Sequence, residues 1–139
     1  IGYACQGGPT LAEIMDLFIT ALQIIAALGI FNVWFLRSHM TTPWRGGSAS
    51  NMKEEFAIYG LPPSVMVIAG GAKILCAAGL VAGLFWPSFI VPSATVLALL
   101  MLVAIALHFK VRDPLPKFLP AITMLVLCLS LLGMSMLRG

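Results

Sequence analysis

The fold of this chain is decided by residues 64–86, which read SVMVIAGGAKILCAAGLVAGLFW. A helix needs about 20 predominantly apolar residues to cross a hydrocarbon core of about 30 Å, and this stretch is long enough. Lys73 is its only formal charge. Because a lysine near the bilayer centre costs at least about 2.5 kcal/mol to insert, an intramembrane charge is by default a candidate functional residue. The stretch therefore predicts a membrane-spanning helix in which Lys73 has a partner or a function.

Three further stretches are equally apolar. The 139 residues are 60% hydrophobic and only 9% charged, and the mean hydropathy is +1.04, which is typical of an integral membrane protein. None of the stretches shows the alternation of a barrel strand, so we predict an all-α fold with a single transmembrane domain over residues 1–139. The predicted spanning helices are about residues 14–36, 64–86, 88–108 and 118–137.

The connections predict an up-down-up-down four-helix bundle. Only a few residues around Pro87 separate the second and third helices, so these helices must be adjacent and antiparallel. A sharp return between the third and fourth helices is predicted from three prolines, Pro114, Pro116 and Pro120. Small residues are frequent in the second helix, where Gly79 and Gly83 form a GxxxG pattern that permits close contact. We therefore expect the second helix at the centre of the bundle.

Local signals predict the helix ends and one short extra helix. Thr10 followed by Glu13 predicts a capping box at the start of the first helix. Residues 51–61, NMKEEFAIYGL, predict an interfacial helix that precedes the second spanning helix and is ended by Gly60. Loop residues 38–50 are polar and rich in glycine, so we expect them to be mobile or shaped by a partner.

Positive charges predict the orientation in the membrane. Six cationic residues lie in the two longer loops, and Arg138 lies at the opposite end; the six are Arg37, Arg45, Lys53, Lys110, Arg112 and Lys117. By the positive-inside rule both loops face the cytoplasm, stroma or matrix, and both termini face the luminal-type side. We expect a prokaryotic inner membrane or an organellar one, thylakoid or mitochondrial inner; the start at Ile1 leaves any targeting peptide out of view. The net charge of +3 reflects this topology, so no nucleic-acid partner is expected.

Gln23 is the predicted partner of Lys73, because both lie at similar depth on antiparallel helices, whereas Asp16 lies too far toward the other face. One hypothesis is that Lys73 holds an anionic or quinone-like ligand, or a carboxylate supplied by a partner. The other is that its stem packs in the bundle while its amine bonds to Gln23, to backbone carbonyls or to water. The sequence leaves both open.

His108, at the end of the third helix, is a further candidate ligand-binding residue. It could ligate a metal, a haem or a chlorophyll magnesium, or relay protons, or it could cap the helix C-terminus. The other histidine, His39, maps to the same membrane face, so a shared site stays open. Cys76 and Cys128 are either buried thiols or a redox pair, and Cys5 stands alone in the N-terminal tail.

Two interpretations apply to the polar residues at the end of the first helix, a headgroup-level pocket and an interfacial anchor, and the second is the commoner arrangement. Asn32, Trp34 and Arg37 could line the pocket, with Glu54 and Glu55 as partners for Arg37; the alternative is an interfacial anchor with weak surface ion pairs. The sequence has no phosphate loop, nucleophile triad, paired intramembrane carboxylates or haem-binding histidine pair. We therefore assign no catalytic and no metal-binding residue and expect no catalytic activity of the chain on its own.

Two segments resemble the DoxX-like family of small four-helix membrane proteins. They are EEFAIYGLPPSVMVIAGGAKIL, residues 54–75, and ALHFKVRDP, residues 106–114. The similar features are a phenylalanine and the Gly60, Leu61 and Pro62 turn before the second helix, a glycine and a charged residue within it, and His108 followed by Asp113. The charged residue is Lys73, which differs from the acidic residue of some members. The resemblance covers about residues 12–137, and loop 38–50 is long for the family.

For a chain that resembles this family, the missing catalytic groups, the glycine-rich loop and the small size of the bundle predict a non-catalytic accessory subunit. We expect it to pack in or stabilise a larger membrane complex, respiratory or photosynthetic. Its partners would be other membrane subunits and lipids, with no intrinsic cofactor and with lipid, quinone or pigment in contact with it. The alternative is the membrane subunit of a quinone-linked oxidoreductase of the thiosulfate:quinone type, and a small transporter or channel is a third. The residues expected to contact a ligand are Lys73, Gln23 and His108.

Overall fold

Five α-helices make up most of the region that the computed structural model describes, residues 7–138. Four of them are long and apolar enough to span a membrane, which confirms the predicted all-α transmembrane fold. Ile1 and Cys5, considered above, lie outside the described residues. The helices are α1 (Leu11–Phe31), α2 (Met52–Ile58), α3 (Pro63–Ala82), α4 (Ile90–Lys110) and α5 (Leu119–Arg138).

The start of α1 is fixed by a capping box. Thr10 Oγ1 accepts a hydrogen bond from the Glu13 backbone N–H at 3.2 Å, and Glu13 Oε2 accepts one from the Thr10 N–H at 2.8 Å. The box satisfies two of the backbone donors that a helix N-terminus leaves unpaired. The cap was predicted, and because of it the helix begins at Leu11 rather than at Ile14. At its other end α1 continues as a π-helical stretch, Asn32–Leu36.

The short helix before α3 is present as predicted. Asn51 Oδ1 accepts a hydrogen bond from the Glu54 backbone N–H at 2.9 Å and begins α2. The chain leaves α2 through Gly60, whose φ of 80° lies in the left-handed region that favours glycine. This turn lets α2 fold back against α3.

The turn between α3 and α4 is longer than predicted. α3 ends at Ala82 instead of Trp86, and a 3₁₀ turn, Pro87–Phe89, leads into α4. Trp86 takes extended backbone because a residue before proline is driven out of the helical region. Phe85 and Trp86 are 74% and 62% exposed at this turn, as is typical of aromatic residues at a membrane interface.

The four long helices form a ring in which each contacts two neighbours: α1 lies beside α3 and α5, and α4 completes the ring between them. The prediction that the second helix occupies the centre is therefore wrong, since the most extensive contact joins α4 and α5. The small residues act locally instead. A Cβ added at Gly83 would lie 2.7 Å from Ile90 Cγ1, so α3 and α4 touch closely there. The core is built around Leu80, Leu97, Cys128 and Leu131.

Candidate functional site

A cavity of about 540 Å³ lies inside the end of the bundle that carries the two longer loops, and we call it the loop-side cavity. Its walls span residues 29–37, 100–108 and 117–124 of three helices. Each interval is about two helical turns, so the cavity reaches about 10 Å into the bundle. Its volume falls within the range of about 300–1,000 Å³ that is typical of small-molecule sites.

The wall of the loop-side cavity is mostly apolar and carries a few polar side chains. The apolar residues include Ile30, Leu100, Met101, Ala104 and Met124. The polar residues include Arg45, Glu55, Tyr59, Lys73 and His108. An apolar cavity with a few convergent polar groups is the usual form of a ligand site.

Lys73 lies near the floor of the loop-side cavity, because it is the deepest residue that α3 contributes to the wall. Its Nζ is 5.4 Å from the centroid of the Trp34 ring, a cation–π distance. Nζ forms no hydrogen bond and no salt bridge with any of residues 7–138, and the side chain is half-buried. Trp34 can lie beneath it because α3 has Gly70 there: an added Cβ would be 2.5 Å from Trp34 Cζ3. The aromatic face of Trp34 is thus the observed partner of the lysine.

Gln23 does not contact Lys73, and the predicted pairing is wrong. The buried Gln23 amide donates from Nε2 to the Leu80 carbonyl at 2.9 Å. Trp34 packs on Gly70, and in an antiparallel pair this register sets Gln23 opposite Leu80, about 10 Å beyond Lys73. Gln23 does not line the loop-side cavity, and its role as a ligand-binding residue stays a prediction.

Arg45 is buried in the loop between α1 and α2, at 5% exposure. Nη1 donates to Glu55 Oε2 at 3.0 Å and to Met52 Sδ at 3.4 Å. Nε and Nη2 both donate to the Met40 carbonyl at 3.2 Å, and Nη2 also donates to the Arg37 carbonyl. All five N–H donors of the guanidinium therefore have partners within the protein. Loop 38–50, predicted to be mobile or shaped by a partner, is anchored by its own arginine.

Glu55 also holds the loop between α1 and α2 in place. Besides the ion pair with Arg45, Oε1 accepts from the Gly46 backbone N–H at 3.0 Å and from the Tyr59 hydroxyl at 2.7 Å. Burial and the neighbouring Glu55 carboxylate raise the pKa of Tyr59 well above its ordinary value of 10.0. Tyr59 is therefore a permanent donor to Glu55 at physiological pH. The predicted pairing of Glu55 with Arg37 is wrong, because Arg45 takes that position.

His108 is buried and paired with Asp113. Its Nδ1 lies 2.7 Å from Asp113 Oδ2, and Asp113 Oδ1 accepts from the Gly47 backbone N–H at 2.9 Å. Lys117 Nζ donates to the Gly47 carbonyl and lies 3.9 Å from Asp113 Oδ1. The second ring nitrogen, Nε2, has no hydrogen-bond partner among residues 7–138, and His108 lines the loop-side cavity. Asp113 therefore joins the two loops and orients the histidine.

The shared site of His39 and His108 that the sequence left open is not assembled. His39 is exposed and lines a separate groove of about 550 Å³ on the other side of Trp34, together with Lys53 and Met66. No group of three or more His, Cys, Asp or Glu residues that could hold a metal ion occurs within the described part of the chain. Cys76 and Cys128 are both buried free thiols in the core, and a redox role for them stays a prediction.

The Arg45, Glu55 and Tyr59 cluster was missed by sequence reasoning. One signal was present: Glu55 and Tyr59 are four residues apart, which places them on one face of α2. Nothing local indicates that Arg45 is buried, because its partners come from both ends of the loop. A polar loop with two glycines is also the usual pattern of an exposed segment.

A sequence model of the DoxX-like family matches residues 47–131. The match includes α2, α3, α4 and the first part of α5, and it contains Glu55, Lys73, His108 and Asp113, whereas Arg45 precedes it. No curated protein and no solved structure shows significant similarity to the chain.

Proposed function

The chain belongs to the DoxX-like family, and from this premise we propose that it is a non-catalytic accessory subunit that packs in or stabilises a larger membrane complex. The observation that carries this proposal is the anchored loop between α1 and α2. Arg45 holds it through five donors, while its neighbours Met40 and Trp44 are 55% and 40% exposed.

This loop has the composition of a protein-binding surface. Tryptophan and methionine are enriched at the cores of protein interfaces, and tryptophan is frequent among the residues that contribute most to binding. A partner that meets a fixed loop does not have to order it, so less conformational entropy is lost on binding. Arg45 and Glu55 bond to each other and to the loop backbone and so hold the loop in place. This structural use of the charged residues favours a docking role over a catalytic one.

A double variant with a matched control tests the proposal. We expect Met40→Ser with Trp44→Ser to release the chain from its complex when native membranes are extracted in mild detergent and measured by native mass spectrometry. Phe85→Ser with Trp86→Ser removes a larger exposed apolar pair at the opposite end and should leave the complex intact, as should Lys73→Met. A wild-type chain that runs alone, without a stoichiometric partner, would contradict the proposal.

The host complex is a second question for the same sample. Respiratory and photosynthetic complexes are the expected hosts, and only the second contains bound pigment. The visible absorption spectrum of the purified complex separates the two.

The alternative function, a membrane subunit of a quinone-linked oxidoreductase, is favoured by the geometry of His108. Asp113 engages Nδ1 and holds the imidazole in one orientation, and His108 lines the cavity. A histidine fixed in this way can exchange a proton with a quinone oxygen, while a partner subunit supplies the redox centre.

Quinone reduction by the intact complex tests this alternative. His108→Gln and Lys73→Ala should each lower the rate at least about tenfold, in the range expected for loss of an acid or base. His39→Gln, at an exposed histidine on the same face, is the control and should leave the rate unchanged. Reduction that persists after Lys73→Ala would count against the alternative.

A further inference from the structure

The loop-side cavity has an excess of positive charge. Four cationic side chains and one carboxylate line it. Glu55 and Arg45 neutralise each other at 3.0 Å, and Lys117 is bound to the Gly47 carbonyl and lies beside Asp113. Lys73, on the spanning helix α3, has only the Trp34 ring.

A lone ammonium inside a spanning helix is poorly compensated by an aromatic ring. Charges within membrane segments usually pair with another charge or with backbone carbonyls, and Lys73 does neither among residues 7–138. An anion in the loop-side cavity would restore the missing pair without displacing any protein contact. We propose that the cavity binds a single-chain anionic amphiphile whose carboxylate pairs with Lys73.

The shape of the cavity selects this class of ligand. Between Lys73 and the loop side, much of the wall is apolar and includes Ala69, Ala104 and Leu107. A carboxylate beside Lys73 therefore places an acyl chain among apolar side chains. The volume of about 540 Å³ is suited to one small molecule and favours one chain over the two chains of a phospholipid.

Charge separates this ligand from a neutral quinone. A quinone contacts the apolar wall but leaves the Lys73 ammonium without a counter-ion, whereas a carboxylate compensates it directly. The Glu55 carboxylate does not repel the ligand, because three donors already bind it. The inference does not depend on the accessory role, since its test changes Lys73, whereas the test of complex assembly changes Met40 and Trp44.

Equilibrium binding of radiolabelled decanoate to the full chain in a neutral maltoside detergent tests the inference. We expect saturable binding that Lys73→Met weakens at least about tenfold, the change that corresponds to one lost ion pair. Lys73→Arg keeps the charge and should retain binding. Lys53→Met is the matched control, because Lys53 is exposed and lies in the separate groove, and it should bind as the wild type does.

Competing ligands show whether the cavity prefers a single-chain carboxylate, a neutral ester, a phospholipid or a quinone. Methyl decanoate has the same chain without the charge and should displace the label at least about tenfold less well than decanoate does. The inference is overturned by an absence of saturable binding, by equal affinity in Lys73→Met, or by loss of binding in Lys73→Arg. Stronger displacement by phosphatidylglycerol or by a short-chain ubiquinone than by decanoate would also overturn it, in favour of a phospholipid or a quinone.

Discussion

Gly70 is the residue on which the position of Lys73 most directly depends. The Trp34 ring lies against it, and an added Cβ would be 2.5 Å from Cζ3 and 2.7 Å from Cε3. Gly71, the next residue, has open space within 4 Å of an added Cβ. A comparison of the two glycines therefore distinguishes the effect of packing against Trp34 from the lower helix propensity that every glycine has.

We expect Gly70→Ala to lower the free energy of unfolding by about 1–3 kcal/mol relative to Gly71→Ala, because only the first substitution overpacks Trp34. Gly71→Ala should be neutral or stabilising, by up to about 1 kcal/mol, since alanine favours helix. Thermal unfolding in detergent measures the stability, and Trp34 fluorescence should change only in Gly70→Ala. Equal stability of the two variants would show that Trp34 adjusts freely.

Because of Tyr59, the free energy of unfolding should depend on pH in the alkaline range. Its pKa in the folded protein is raised above 10.0 by burial and by Glu55, whereas the unfolded chain has an ordinary tyrosine. Both states keep the proton below pH 10. Above it the unfolded chain binds fewer protons than the folded one, so the free energy of unfolding falls as pH rises.

The comparison with Tyr59→Phe isolates this effect, because the other titrating groups are common to both proteins. The wild type should be the more stable at pH 8, and its advantage should shrink by up to about 1.4 kcal/mol per pH unit above pH 10. Thermal unfolding between pH 8 and pH 11 measures the difference. A difference that stays constant over this range would contradict the assigned cause.

At the scale of elements, the spanning helices could be predicted from the sequence and the loop contacts could not. Length and hydropathy are local properties, so each long helix was found, with errors at ends such as Leu11 and Ala82 where a cap or a turn decides. The contact of Gly47 with Asp113 joins residues that are far apart in sequence. No periodic pattern marks such a contact, because it depends on how two loops meet in space.

Glu55→Gln tests whether the loop between α1 and α2 depends on its buried ion pair. The substitution leaves the Arg45 charge buried without a counter-ion, and breaking a buried pair in this way costs roughly 3–5 kcal/mol. The loop should open and expose Arg45 to trypsin, so we expect a new cleavage after Arg45. Cleavage at the exposed Arg37 and Arg112 serves as an internal reference and should change little. A trypsin pattern identical to the wild type would show that the loop holds without Glu55.

At the scale of the whole molecule, the register between helices explains why the site was only partly predicted. Counting depth from the helix ends placed Gln23 beside Lys73, but the contact of Trp34 with Gly70 sets the true register of α1 on α3. His108 and Lys73 were found because a charge or an imidazole in an apolar span stands out. Arg45 was missed because a cation in a polar loop is common and does not indicate burial.

The two ends of the molecule differ in charge, and this difference predicts its orientation. At the end opposite the loops, Arg138 pairs with Asp16 at 2.7 Å and joins the end of α5 to the start of α1. This pair is exposed and therefore weak. At the other end six lysines and arginines accompany the two loops, and from the positive-inside rule we expect these loops on the cytoplasmic, stromal or matrix side.

Single engineered cysteines report that orientation. In a Cys5→Ser background, where Cys76 and Cys128 are buried, we introduce Ser48→Cys in the loop or Gly8→Cys before α1, both at exposed positions. A membrane-impermeant maleimide added to sealed right-side-out vesicles should label the cysteine at position 8 and leave position 48 unreacted, and inverted vesicles should give the opposite result. Labelling of position 48 from the outside would place the anchored loop, and the mouth of the loop-side cavity with it, on the luminal-type side.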